Sequence, residues 1–249
     1  MTPIYHLPQV QYGTTEADAK PPRRGVGLPE GHAQPEDVLT LKCDWFYDWR
    51  CTPDYLSIPG YIPMSWGGHY TLPGLTPDFS GYLLALNEPD NAGQLNLQPS
   101  DAAARVITLQ AVYPRARLII GGVSAYGAGW LQAFVTALGG FRPAGWHVHG
   151  YCEWGAEAGD VLQWFEYARE ICQGGEFWVT EFADVDGGYQ ADTLMRMVEG
   201  APWITRFAWF ASRLDKGDWY LPQHWHNPAL LDGTGLTQFG RMYSGREAA

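Results

Sequence analysis

The feature that most constrains the fold is a repeated one. Eight short apolar runs recur along the chain: Gly25–Leu28, Trp45–Trp49, Tyr61–Met64, Tyr82–Leu86, Leu118–Gly121, Trp146–Val148, Phe177–Val179 and Ile204–Phe210. They are continuous rather than alternating, so none has a polar face to turn to water. Such runs suit strands buried on both sides, as in a parallel sheet covered by helices. Between the later runs lie helical patterns. DAAARVITLQAVYP (101–114) is capped by Ser100 or Asp101 and stops at Pro114, and GWLQAFVTALGG (129–140) closes on glycines. DVLQWFEYAREIC (160–172) opens on Asp160, and ADTLMRMVEG (191–200) follows the same form. Earlier, PEDVLTL (35–41) makes one helix, whereas 50–60 and 65–80 are loops rich in proline and glycine with little room for one. Eight strands alternating with helices predict an α/β fold, a compact (β/α)8 TIM barrel over residues 25–249 whose first half is short of helices. A doubly wound sheet is the alternative, but the first run is not followed by the G-x-G-x-x-G of its nucleotide site. Residues 1–24 contain the polar, proline-bearing TTEADAKPPRR and read as a lead-in segment.

A formal net charge of −11 argues against nucleic acid or a membrane surface as partner, since both attract basic proteins, and leaves a neutral ligand open. The chain holds 12 Trp, 14 Tyr and 10 Phe; any one Trp reads first as core, but flat half-polar rings also suit the faces of sugars. Cys43, Cys51, Cys152 and Cys172 form no C-x-x-C pair, so no zinc or redox motif is present; Cys43 and Cys51 are either buried thiols or a pair. No stretch reaches the roughly 18–20 apolar residues of a membrane span. The start, MTPIYHLPQV, lacks the form of a signal peptide, so an extracellular location would require a leader removed beforehand. Nothing in the sequence demands more than a monomer.

Two of the runs end oddly. LLALNEPDN (83–91) passes from apolar residues to Asn87 and Glu88 with no turn residue between, and EFWVTEFAD (176–184) does the same at Thr180 and Glu181. In barrel enzymes the reacting groups sit at the C-terminal ends of strands. The fourth and seventh strands lie three apart around a ring of eight, so these two glutamates can face one another across its mouth. Each alone reads first as a surface or ion-paired residue; the matched pair points to two-carboxylate glycoside hydrolysis.

The wider motif string is specific. WFYDW (45–49), PMSWG (63–67), LNEPD (86–90), HGY (149–151), WVTEF (178–182), RFAWF (206–210) and LLDGTGLT (230–237) occur in order. Together they resemble glycoside hydrolase family 128, the alkali-sensitive-linkage-protein-like glycosyl hydrolases of clan A, over roughly residues 25–245. The resemblance implies a retaining, endo-acting β-1,3-glucanase with no cofactor, acting on β-1,3-glucan by double displacement. Glu88 would be the acid/base, needing a raised pKa, and Glu181 the ionised nucleophile. Asn87 is placed to meet the sugar 2-OH, and Tyr151 to donate to Glu181. Trp66, Trp154 and Trp209 are expected to line the mouth, with Trp45 and Trp49 less firmly placed; Tyr47 and Glu153 are possible polar contacts. His149 is expected beside the sugar or Glu181, and His147 deeper in the barrel. His147 and His149 share a strand face and raise the alternative of a metal-dependent hydrolase, but the further ligands such a site needs are missing, so no metal is expected. A third reading is a β-glucan-binding barrel without turnover, which should lack one of the two carboxylates. His224, His226, Asp184 and Asp186 read first as exposed loop residues.

Overall fold

The computed structural model describes residues 23–125, 127–215, 217–218 and 221–245; the expected lead-in, apart from its last two residues, lies outside them. Eight parallel strands run β1 (Arg24–Gly27), β2 (Trp45–Tyr47), β3 (Met64–Ser65), β4 (Tyr82–Ala85), β5 (Arg117–Val123), β6 (Gly145–Cys152), β7 (Glu176–Asp184) and β8 (Arg206–Trp209). Their hydrogen-bonded order is β2-β1-β8-β7-β6-β5-β4-β3. The two ends of that order meet just ahead of β3. Phe46 bridges Tyr61 in parallel, and the Ile62 amide donates to the Phe46 carbonyl at 2.9 Å. The ring of the expected barrel is thereby all but closed.

Helix α1 (Glu36–Thr40) follows β1, α2 (Pro99–Val112) follows β4, and α3 (Ala128–Ala137) follows β5. Next, α4 (Ala158–Cys172) follows β6 and α5 (Ala191–Gly200) follows β7, while α6 (Gln238–Ser244) closes the chain after a hairpin of β9 (Leu231–Asp232) and β10 (Gly235–Leu236). The shortage of helices falls on the two crossovers around β3; among described residues they hold a single 3-10 turn at Pro53–Tyr55. Two caps differ from expectation. Asp160 is the third helical residue of α4, bonded reciprocally with the true cap Glu157 in a capping box, which starts the helix earlier. Pro99, its φ already helical, opens α2 after Gln98, so neither Ser100 nor Asp101 is the cap.

Strand alternation divides the core in two. Inside the barrel lie Trp45, Tyr47, Ile62, Met64, Leu84, Ile119, Trp178 and Ala208. Outward residues of the same strands pack against the helices. The small β1 makes the inner packing possible: a Cβ on Gly25 would sit 2.3 Å from the Trp45 ring, and one on Gly27 2.5 Å from the Trp49 ring. Two expected groove residues are therefore corrected. Trp45 is fully buried inside the barrel and donates to the Arg23 carbonyl at 3.0 Å. Trp209 is fully buried on the opposite side of the wall, because Ala208 takes the inward position of β8; its ring meets Phe182 and Tyr243, and its N–H bonds the Pro228 carbonyl at 2.8 Å.

The N-terminal end of the barrel is a floor of matched charge. The Arg206 guanidinium lies 4.8 Å from the ring centroids of both Tyr82 and Trp178. Glu176 accepts from the Tyr82 hydroxyl at 2.6 Å, the Trp178 indole at 3.0 Å and Arg117 at 2.5 Å. All four cysteines are free thiols, so Cys43 and Cys51 do not pair. Among the described residues no helix is long and apolar enough to cross a membrane.

Candidate active site

Two irregularities bring the functional side chains together at the C-terminal end of the barrel. The first is on β7. Val148 lies opposite Val179, but His149 lies opposite Glu181, so Thr180 is an extra residue in the ladder. Strict alternation after the inward Trp178 would turn Thr180 inward and Glu181 into the wall. The bulge instead turns Glu181 into the mouth. Thr180 is held on both sides: its hydroxyl contacts His147 Nδ1 at 2.8 Å and its carbonyl accepts the Tyr47 hydroxyl at 2.8 Å.

The second is at the ends of β4 and β5. The register of β5 shifts after Gly121, where Gly121 and Gly122 have φ of 120° and 57°. A Cβ on Gly122 would stand 2.6 Å from the Leu86 carbonyl oxygen and 3.2 Å from Asn87 Cα, so only glycine lets the β4 exit lie against it. The Glu88 amide then donates to the Gly122 carbonyl at 2.8 Å. Leu86 and Glu88 sit at φ of 73° and 43°, left-handed conformations that cost a non-glycine residue on the order of 1–3 kcal/mol each and are tolerated where surrounding structure fixes them. Asp90 supplies part of that fixation, accepting the Ser124 amide at 3.0 Å and its hydroxyl at 2.5 Å.

Glu88, His149 and Glu181 converge, with one oxygen or nitrogen from each lying within 4.8 Å of the others. His149 Nδ1 stands 3.1 Å from Glu88 Oε1 and 3.4 Å from Glu181 Oε2. Tyr151 donates to Glu181 Oε2 at 2.5 Å, and the Trp49 indole donates to Glu181 Oε1 at 2.7 Å. Asn91 donates to Glu88 Oε2 at 2.8 Å. Every one of the four carboxylate oxygens thus faces a donor, an arrangement made by hydrogen bonding rather than by a cage of bare ligand oxygens. Asn87 is buried, its Oδ1 without a partner among the described residues, as is Nε2 of His149.

Burial works against charge at all three groups, and the neighbours decide the outcome. Burial would raise Glu88, yet the bond and charge of His149, with Asn91, hold it below the usual carboxylate range. Burial and the charge of Glu88 hold Glu181 above that range, against His149, Tyr151 and Trp49. Burial would lower His149, but Glu181, Glu88 and Asp90 outweigh it and raise the imidazole. The raised pKa expected at Glu88 is therefore reversed at rest: the positive neighbour lies nearest to Glu88. His147, as expected, is a deep structural residue; burial and the charge of His149 push it down to about 3.

The expected binding residues separate by depth. Tyr47 is fully buried beneath Glu181, so it supports the site from below rather than touching the mouth. Trp49 and Trp66 are half-buried and pack on the inner core at its upper edge. Trp154 is 78% exposed, with the His224 ring 4.2 Å from its own. Glu153 accepts from His224 at 2.9 Å and from the Trp225 indole at 2.6 Å. His224 is exposed in its loop, as expected, and is paired there with Glu153 beside the Trp154 ring. Asp184 is buried, accepting the Asp186 and Gln190 amides at 3.0 and 2.6 Å, so it fixes the turn before α5 instead of being solvated. The sequence reading gave no role to Asp90, Asn91, Gly122, Phe210 or Trp225, although Asp90, Asn91 and Phe210 stand in the runs it singled out. Asp90 and Asn91 directly follow the N-E-P motif and were within its reach. Trp225, whose ring lies 4.9 Å from Tyr151, and Gly122 carry no local signal.

Facing carboxylates at the ends of β4 and β7, walled by aromatic rings, are the arrangement of a barrel glycosidase. The chain belongs to the glycosyl hydrolase catalytic core family, whose sequence profile matches residues 29–243. Similar solved structures come from glycoside hydrolase family 128, the family that the motifs resemble. One is a subgroup I endo-β-1,3-glucanase from Amycolatopsis mediterranei in complex with laminaritriose, 26% identical over 90% of this chain and 99% of that one, TM-score 0.71. Another is a subgroup III curdlan-specific exo-β-1,3-glucanase from Blastomyces gilchristii in complex with glucose, 26% identical over 89% and 97%, TM-score 0.67. A subgroup II endo-β-1,3-glucanase from Sorangium cellulosum, 24% identical over 89% and 97% with a TM-score of 0.67, shares the fold. No curated protein matches the sequence.

Proposed function

We propose that this protein is a retaining endo-β-1,3-glucanase that acts as a monomer on β-1,3-glucan. The observation that carries the mechanism is the approach of Glu88 and Glu181, with an oxygen of each within 4.8 Å of the other. Double displacement works with carboxyls about 5–5.5 Å apart, whereas inversion needs about 6.5–9.5 Å to admit a water between them. Glu181 is the nucleophile: three donors hold its oxygens in place for attack on the anomeric carbon, and a buried carboxylate is a poorly solvated, reactive one. Glu88 is the acid/base, protonating the leaving oxygen and later deprotonating water. Asn87 meets the sugar 2-OH with its free amide oxygen or its NH2. Trp49, Trp66, Glu153 and Trp154 bind flanking sugar rings. The choice of β-1,3-glucan follows the solved relatives, and internal cleavage follows those named as endo-acting.

Reducing-sugar release from unbranched β-1,3-glucan, run beside β-1,4- and β-1,6-glucans with Glu181→Gln as control, tests this. Release from the β-1,3 chain alone, lost in the variant, is expected. Release of a single sugar size from the first minutes would replace endo by exo action. Inverted configuration of the first product, seen by proton NMR, would overturn the double displacement.

A further inference from the structure

The acid/base in the proposed reaction has to deliver a proton, yet Glu88 has the positively disposed His149 against it. Where that proton rests is settled by what surrounds it. A proton on the Glu88 carboxyl would satisfy one carboxylate and leave Glu181 facing a neutral ring. A proton on His149 Nδ1 faces both, at 3.1 Å from Glu88 and 3.4 Å from Glu181. Both placements give the buried trio the same total charge, so the choice turns on intrinsic basicity and on the local field: imidazole is the stronger base, and a cation between two anions is favoured in a water-poor site.

We propose that His149 stores the acid proton: it rests on Nδ1 and crosses the short contact to Glu88 as the leaving oxygen departs. The inference rests on the retaining reading above. In the first step a Glu181 oxygen bonds the anomeric carbon and the glycosidic C–O bond breaks. The leaving oxygen takes the proton through Glu88, and His149 is left neutral. In the second step water bonds the anomeric carbon and the ester to Glu181 breaks. The proton released by that water passes to Glu88 and returns to His149. The buried trio carries one net negative charge at rest and one in the intermediate, so neither step moves net charge into or out of a dry site.

The groups facing His149 fit that role. Asp90, at the β4 exit, adds a third carboxylate to its field. His147, two residues back on β6 with its ring 6.1 Å away, is held neutral between Thr180 and the Ala85 carbonyl and does not compete for the proton. Tyr151 remains protonated, its hydroxyl committed to Glu181. From α4, Trp164 donates to the His149 carbonyl at 2.8 Å and fixes the backbone beneath the ring.

The decisive measurement is the titration of the His149 ring by NMR in imidazole-labelled protein, with its signal assigned by its absence in His149→Asn. The expected result is a charged ring that loses its proton above the ordinary imidazole value of about 6.5, and that titrates lower in Glu88→Gln and Glu181→Gln. A ring that stays neutral across pH 5–8 in wild type overturns the proposal while leaving the retaining glucanase reading intact. Kinetics give the second arm. Where His149→Asn folds, the basic limb of its kcat/KM profile is expected to move to lower pH, with a loss on the order of 10²-fold near neutrality on glucan. Cleavage of an aryl β-glucoside with an acidic phenol, whose leaving group needs no proton, should fall far less. A uniform loss on both substrates with the limb unmoved would mean that His149 only positions Glu88, and the proposal would fail.

Discussion

The floor and the mouth of this barrel use the same kinds of group to opposite ends. At the floor, Glu176 receives Tyr82, Trp178 and Arg117, and Arg206 lies between two rings; charge meets opposite charge. At the mouth, two carboxylates share a single imidazole, and neutral donors fill the remaining positions. The floor is electrostatically satisfied and so stabilises the fold. The mouth keeps an uncompensated negative charge in a buried place, a strain that a substrate with a developing positive anomeric carbon relieves. The same barrel interior, read from one end to the other, passes from structure to chemistry.

That contrast breaks most sharply under substitution of the two glutamates. Glu181→Gln and Glu88→Gln are each expected to cut glucan turnover on the order of 10⁴-fold with thermal stability equal to wild type or higher. Turnover within tenfold of wild type in either would remove that residue from the reaction. The floor should answer in reverse. Glu176→Ala leaves Arg117, Tyr82 and Trp178 without their shared acceptor, and is expected to cost about 2–3 kcal/mol in urea unfolding with kcat unchanged. A fall in kcat without a loss of stability would show that the two ends are coupled.

Between these extremes, Tyr151→Phe removes one donor from Glu181 and should lower kcat about 10²-fold while preserving the fold, measured on the same glucan. A smaller effect comes from His147, which stays neutral in the fold down to about pH 3. Below about pH 6.5 the unfolded chain takes up a proton there that the folded chain refuses, so its contribution is full above that pH and drains away as pH falls toward 3. Melting temperature should decline over that window more steeply in wild type than in His147→Asn. Equal slopes in the two proteins would show that His147 is not a source of the acid sensitivity.

The sequence by itself determined the strand set and the positions of the two glutamates. Continuous apolar runs call for burial on both faces of a parallel sheet, and a polar pair at the C-terminal end of such a run marks the end at which reacting groups sit. Helix starts were less legible: a capping box and an N1 proline outrank the nearest Ser or Asp. Which way a side chain faces was decided by the tertiary structure. Trp45 and Trp209 stand on similar runs, yet one fills the barrel and the other its outer wall, because the neighbours Gly25 and Ala208 set what fits inside. Glu181 reaches the mouth only because the ladder with β6 slips at Thr180, and Glu88 only because Gly122 lets two backbones touch. Likewise, His149 came between the carboxylates, within 3.1 Å of Glu88 and 3.4 Å of Glu181, a placement that no spacing along the chain records. Local sequence fixes period and polarity; register slips and buried charge are properties of strands side by side, and those exist only once the barrel has closed.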